Sequence, residues 1–357
     1  MFFSFIACSK RQEIKIGFSA NLTGRNSELG ISARNGVKLA IGEFNEQGGL
    51  NGSRIALLVK DDMSNPDTAL QSDKELISKG VIAIIGHLIS STARLSVPYV
   101  NSTNTLMISP TVSSEKYSRQ DDNFLRVIPS NLYQGELLAQ TALKRGVKNI
   151  YILYDSSNAD YTNELVVHFL RVYRSGGGQV VKTSAFNSSR KVNFTSIAKD
   201  IVSSRSSAVL SITAALDNAL LCQQLSKLKS NIPVLAGLWS MTDDLISAGG
   251  RSTERMLIAG VMDRNSERYK KFKTKYMRIF GADPTFSSIY AYETAMVILS
   301  SLKKTGINSV RNLKKVILST ERFDGVLESF ALDSYGDTDR KYYLFTIRNN
   351  SFVRVSE

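Results

Sequence analysis

Two short hydroxyl-rich stretches, Ser90-Ser91-Thr92 and Ser109-Pro110-Thr111-Val112-Ser113, are the residues of this sequence best suited to binding chemistry. Hydroxyls and backbone N–H groups can hold a carboxylate without any Arg or Lys, each charge-assisted hydrogen bond contributing about 1.5–3 kcal/mol. The same residue types cap helices well, so capping is the competing reading. Reaction chemistry is poorly supplied. There is no GxSxG, Walker A or GxGxxG motif, and no Ser/His/Asp set at a workable spacing. His87 and His168 are the only histidines and Cys8 and Cys222 the only cysteines, so no zinc-ligand spacing exists. No catalytic residue, metal or cofactor is expected. Adjacent Asp61 and Asp62 point to opposite sides of a strand end, which fits loop capping better than acid/base work. His87, closing a buried strand, reads as a satisfied core or loop histidine. Cys222, between Leu221 and Leu225, reads as a small buried hydrophobe.

The elements that must position these loops alternate β-rich runs with amphipathic helical stretches, the signature of βαβ units and parallel sheets. Strand Ile14 to Ala20 leads through Thr23-Gly24 to a helix over about Gly30 to Asn45, stopped by Gln47-Gly48-Gly49. Strand Arg54 to Lys60 follows. Asn65-Pro66-Asp67 then starts a helix cleanly, with Asn65 as cap, Pro66 at the first helical position and Asp67 complementing the dipole. Strand Val81 to Gly86, a helix opening near Ser91, strand Thr105 to Ser109 and strand Phe124 to Ile128 complete a first series. Both hydroxyl loops therefore lie beyond the carboxyl ends of parallel strands, where ligands gather in open α/β sheets.

A second series repeats the beat: helix Tyr133 to Arg145, strand Asn149 to Tyr154, helix Tyr161 to Arg174, strand Gln179 to Ala185 and helix Phe194 to Ser203. Strand Ala208 to Thr213, helix Asp217 to Lys229 and strands Ile232 to Ala236 and Leu257 to Val261 complete it. Three helices without strands of their own come next, about Glu267 to Phe280, Ser287 to Lys304 and Val310 to Ser319. A β-rich tail, Ser329 to Leu332, Tyr342 to Arg348 and Phe352 to Val355, can add edge strands to the earlier sheets. A chain that builds one α/β lobe, then another, then returns suits a two-lobed clamp.

The chain of 357 residues exceeds what one hydrophobic core usually fills. Its composition, 43% apolar and 22% charged, is that of a packed protein, and no apolar run approaches the ~18 residues of a membrane helix. The net charge of +13 alone does not choose among nucleic acid, an anionic membrane face or a general charge habit. Seven basic residues and one acid between Arg264 and Arg278 accompany Tyr269, Phe272, Tyr276 and Phe280 at helical spacing, which reads as an amphipathic helix with a solvated cationic face. No nucleic-acid module motif is present, so no nucleic-acid partner is expected.

Ile14-Lys15-Ile16-Gly17, Leu22-Thr23-Gly24, Asn45-Glu46-Gln47-Gly48-Gly49, Asp61-Asp62, Ile84-Ile85-Gly86-His87 before Ser90-Ser91-Thr92, and Leu106-Met107-Ile108-Ser109-Pro110 form an ordered series. In it the chain resembles the type I periplasmic substrate-binding proteins, and most closely the branched-chain amino-acid group that serves ABC transporters. The resemblance spans residues 13 to 355. It implies an α/β fold of two lobes, each a parallel sheet flanked by helices, joined by three hinge crossovers and closing on a small ligand. Lobe 1 would comprise 13–129 plus 262–335 and lobe 2 130–261 plus 336–357, after a signal remnant and tether over 1–12.

The resemblance also implies ligand-binding roles for Ser90, with Ser91 beside it, and for Thr111 and Ser113. Tyr161 falls where relatives close an aromatic over the ligand. Trp239, the only tryptophan, stands where branched-chain binders carry a Glu, and could offer a cation–π face or stack on a planar ligand. Asp217, Asp243 or Asp244 would have to meet an amino acid's ammonium; otherwise the ligand has no amine. Leu29 and Ala215 replace aromatics of relatives, giving a smaller, more aliphatic wall. The expected partners are a small amino-acid, amide or carboxylate solute and an ABC transporter permease. The alternative is a ligand-sensing module of the same fold.

Met1 to Ala7 is apolar and leads through Ala7 into Cys8, then the polar Ser9, Lys10, Arg11 and Gln12. This resembles the end of a bacterial lipoprotein signal, with Cys8 as the lipid anchor and a periplasmic or outer-face location. Only seven residues precede Cys8 and none is charged, whereas a signal has a basic start and an apolar stretch of about 7–15 residues. Either the start lies upstream or Cys8 is an ordinary residue.

Overall fold

A computed structural model describes residues 13–24, 27–254, 256–262, 264, 266–305 and 310–355. Cys8 lies outside them. The first sheet is built from β1 (Ile14–Ala20), β2 (Ile55–Asp61), β3 (Ala83–Ile85), β4 (Leu106–Ser109) and β5 (Phe124–Arg126), with α1 (Ser27–Glu46), α2 (Pro66–Ser78) and α3 (Ala93–Ser102) connecting them. Every pairing is parallel, in the order β2-β1-β3-β4-β5. The inner strands β1, β3 and β4 are almost wholly buried, which is why they read as continuous apolar runs rather than alternating ones. Asn65 caps α2 as its sequence predicts, accepting from the N–H of Asp67 at 2.9 Å and of Thr68 at 3.1 Å.

The second series comprises α4 (Asn131–Lys144), β6 (Asn149–Asp155), α5 (Ala159–Ser175), β7 (Gln179–Phe186), α6 (Phe194–Ser203), β8 (Ala208–Ile212), α7 (Ala215–Lys227), β9 (Val234–Ala236), α8 (Asp243–Gly249) and β10 (Met256–Gly260). The chain then makes α9 (Glu267–Phe280), α10 (Phe286–Thr305) and α11 (Val310–Ser319) before β11 (Tyr343–Arg348) and β12 (Ser351–Arg354). These last two strands extend the second sheet antiparallel, in the order β12-β11-β10-β9-β8-β6-β7. Their turn sets Asn349 and Asn350 at φ 48° and 56°, the left-handed pair of a tight hairpin. The stretch Ser329 to Leu332 is not a strand. It makes only isolated bridges, Phe323 with Phe330 and Leu332 with Thr338. The short α8 carries no helical period in the sequence and went unread there.

α10 returns to the first sheet and packs along α1. Gly36 makes the approach possible, because a Cβ there would lie 2.1 Å from the Ser288 carbonyl oxygen. Polar seams fix the register: the hydroxyls of Ser32 and Thr285 meet at 2.8 Å, and Ser287 Oγ donates to the Leu29 carbonyl at 3.0 Å.

The chain thus crosses between sheets after β5, after β10 and again before β11. The first and third crossings are braced together. The Gly336 carbonyl accepts from Arg126 N–H at 2.9 Å, the buried Arg126 guanidinium pairs with Asp337, and Tyr342 Oη donates to the Pro129 carbonyl at 2.7 Å. Among the described residues no helix is long and apolar enough to cross a membrane.

Candidate functional site

Loops at the carboxyl ends of β3, β4, β6 and β9 converge on a cavity between the two sheets. The first sheet contributes Leu88, Ile89 and Ser90 after β3 and Thr111 and Ser113 after β4. Leu29 of α1 and Phe286 at the start of α10 add apolar wall. From the second sheet come Gln134 of α4, Asn158 and Tyr161 at the start of α5, and Leu238 and Trp239 after β9. Of the residues expected in a site, Ser90, Thr111, Ser113, Tyr161 and Trp239 line this cavity together, and Leu29 joins them. Sequence reading missed Leu88, Ile89, Gln134, Asn158, Leu238 and Phe286. The last four belong to no motif and are gathered only by tertiary packing.

Local chemistry fixes the walls. Ser109 Oγ donates to the His87 carbonyl at 2.7 Å and accepts from Val112 N–H at 2.9 Å, so the two hydroxyl loops are tied to each other. Thr111 Oγ1 donates to the Leu88 carbonyl at 2.8 Å, which commits its proton to the same tie. Beneath the first loop, the wholly buried His87 places Nδ1 2.7 Å from Asp62 and Nε2 3.1 Å from Asp73 and 3.0 Å from Ser96 Oγ. Burial alone would depress its basicity, but the charges and hydrogen bonds of Asp73 and Asp62 outweigh it and push the imidazole up to about 10. Asp62 also accepts from Ser64 N–H at 2.9 Å, and Asp61 from the N–H groups of Leu22 and Met63, so both acids organise loops.

On the opposite wall Tyr161 Oη donates to Gln134 Oε1 at 2.9 Å, and the same oxygen accepts from Leu238 N–H at 2.8 Å. Gly237 permits this, since a Cβ there would lie 2.5 Å from Tyr161 Oη. Tyr161 meets Trp239 edge to face with centroids 6.1 Å apart. Trp239 also borders an adjoining compartment with Glu28, Leu29, Ala215, Thr242 and Asp244. Burial there, reinforced by Asp244, pushes the Glu28 carboxyl up to about 7.

Ser91 and Asp217 are placed otherwise. Ser91 is not in the cavity wall; its N–H donates to Asn158 Oδ1 at 3.2 Å and its hydroxyl accepts from Asp160 N–H at 3.1 Å, bridging the two lobes at the start of α5. Capping, the competing reading for the hydroxyl loops, is thus what Ser91 does, for a helix of the opposite lobe. Lys116 and Asp160 add an ion pair at 2.6 Å across the same seam. Asp217 is fully buried in the first turn of α7 and lines neither compartment, while Asp243 pairs with Arg264 at 2.8 Å. Cys222 is buried in α7, and burial pushes its thiol up to about 12.

Residues 13–351 match the family described as periplasmic binding protein. The chain is similar to Leu/Ile/Val-binding protein homolog 1 of Brucella abortus (strain 2308), with 23% identity over 336 residues that span 91% of this chain and 87% of that protein. Its fold is similar to that of a leucine-binding protein from Thermotoga maritima, with a TM-score of 0.87 and 23% identity over 96% of this chain and 98% of the other. It is likewise similar to that of an ABC transporter solute-binding protein from R. palustris in complex with benzoate, with a TM-score of 0.88 and 19% identity over 96% of each chain.

Proposed function

This chain belongs to the periplasmic binding protein family, and from that premise we propose that it is the extracytoplasmic receptor of an ABC importer, closing two lobes on a small organic solute and handing it over unaltered. The observation that carries the reading is the cavity itself: set between the two sheets, at the carboxyl ends of strands from both, with the hydroxyls of Ser90, Thr111 and Ser113 on one wall and the rings of Tyr161 and Trp239 on the other. We assign lobe 1 to 13–129 plus 262–335 and lobe 2 to 130–261 plus 336–357. In this reading the hydroxyls of Ser90 and Ser113 hold the solute's carboxylate, Tyr161 and Trp239 close over its body, and Thr111 keeps the loops in register. Cys8 is the proposed lipid anchor. The names of the Leu/Ile/Val-binding and leucine-binding relatives, and the benzoate bound by the R. palustris protein, support a small acid or amino-acid-like solute.

Solute should shrink the radius of gyration measured by small-angle scattering, and an unchanged value under saturation would exclude lobe closure. Ser113→Ala should weaken calorimetric affinity for a bound carboxylate roughly 10- to 100-fold, the value of one charge-assisted hydrogen bond. Equal affinity would remove Ser113 from the site.

A further inference from the structure

The receptor reading leaves the class of solute open, and the electrostatics of the cavity narrow it. Among the described residues that line it, none is Asp, Glu, Lys, Arg or His. Its side-chain oxygens are largely committed: Gln134 Oε1 accepts twice, from Tyr161 Oη and Leu238 N–H, and Asn158 Oδ1 accepts from Ser91 N–H. The Leu88 carbonyl is taken by Thr111 Oγ1. The hydroxyls of Ser90 and Ser113, both nearly inaccessible to solvent, can still donate. Such a wall stabilises an anion and gives a primary ammonium no charged partner, and an unpaired cation in a closed cleft is costly.

Two carboxyl groups, Glu28 and Asp244, sit in an adjoining compartment, which shares only Leu29 and Trp239 with the cavity. Burial first, and then the neighbouring Asp244, raise the Glu28 carboxyl to about 7, and this compartment stands apart from the hydroxyls of Ser90 and Ser113. The remaining wall is apolar: Leu29, Leu88, Ile89, Leu238, Phe286 and the ring of Trp239.

We propose that the solute is an amine-free monocarboxylic acid with an apolar, aliphatic or aromatic body. The proposal rests on the receptor reading and deepens it. Isothermal titration of the full chain with matched pairs decides it: leucine against 4-methylpentanoate, and phenylalanine against 3-phenylpropanoate, with benzoate as a rigid aromatic acid. The amine-free member of a pair should bind at least about 100-fold more tightly. Equal or tighter binding of an amino acid would overturn the proposal while leaving the receptor reading in place. A thermal-shift screen in which no amino acid, amide or carboxylate binds would overturn both.

Discussion

Arg340→Met should lower the free energy of unfolding by about 3–5 kcal/mol, because it strands a buried carboxylate. Arg340 Nη1 lies 2.7 Å from Glu293 Oε2, with both side chains only 1% exposed. The other Glu293 oxygen accepts from Val326 N–H at 2.5 Å. The guanidinium also donates to the Val127 carbonyl at 3.2 Å and lies over the Phe330 ring, 3.8 Å from its centroid. Removing the cation therefore costs an ion pair, a hydrogen bond to the first crossover and a cation–π contact together. Urea denaturation followed by circular dichroism should show a lower midpoint with an unchanged slope. The double variant Arg340→Met/Glu293→Leu should recover part of the loss, since no charge is then left buried. A single-variant loss below about 1 kcal/mol would show that water reaches the pair.

The second large effect belongs to His87. Its imidazole titrates at about 10 in the folded chain, above its ordinary value of 6.5, so the native state holds a proton that the unfolded chain releases in that interval. The stabilisation is complete below about pH 6.5 and is lost as pH rises through 10. The melting temperature of the wild type should accordingly fall across this interval. Buried tyrosines, whose titration burial raises above its ordinary value of 10, oppose folding only at still higher pH. His87→Leu should be less stable than the wild type at pH 6 by about 3–5 kcal/mol, because it leaves Asp62 and Asp73 without their shared cation. It should also lose most of the pH slope. A wild-type profile flat from pH 7 to 10 would mean that the folded chain holds no more protons than the unfolded chain over this range, and that the imidazole is neutral in the native state.

Much of the architecture was legible because each βα unit carries its own signals. Asn65-Pro66-Asp67 caps its helix by local chemistry, and the apolar runs of β3 and β4 follow from burial on both faces. The hydroxyl loops were legible for a related reason, since residues just past a parallel strand must end at the sheet's carboxyl edge. Orientation within a loop was not. Ser90 faces the cavity and Ser91 the other lobe, a distinction set by tertiary contacts. Asp217 fails similarly, because which face of α7 is buried depends on the sheet beneath it. The partners of His87 stand 25 and 14 residues away, too far for any spacing rule.

The bracing of the crossovers bears on how a membrane partner could sense occupancy. Crossover segments tied side by side, Arg126 to Asp337 and Tyr342 to Pro129, should resist sliding and twisting more than bending. In the proposed receptor, opening would then follow one soft coordinate, the lobe tips moving like the jaws of tongs. A partner gripping one jaw would read an empty or filled grip from the position of the other, without touching the cargo.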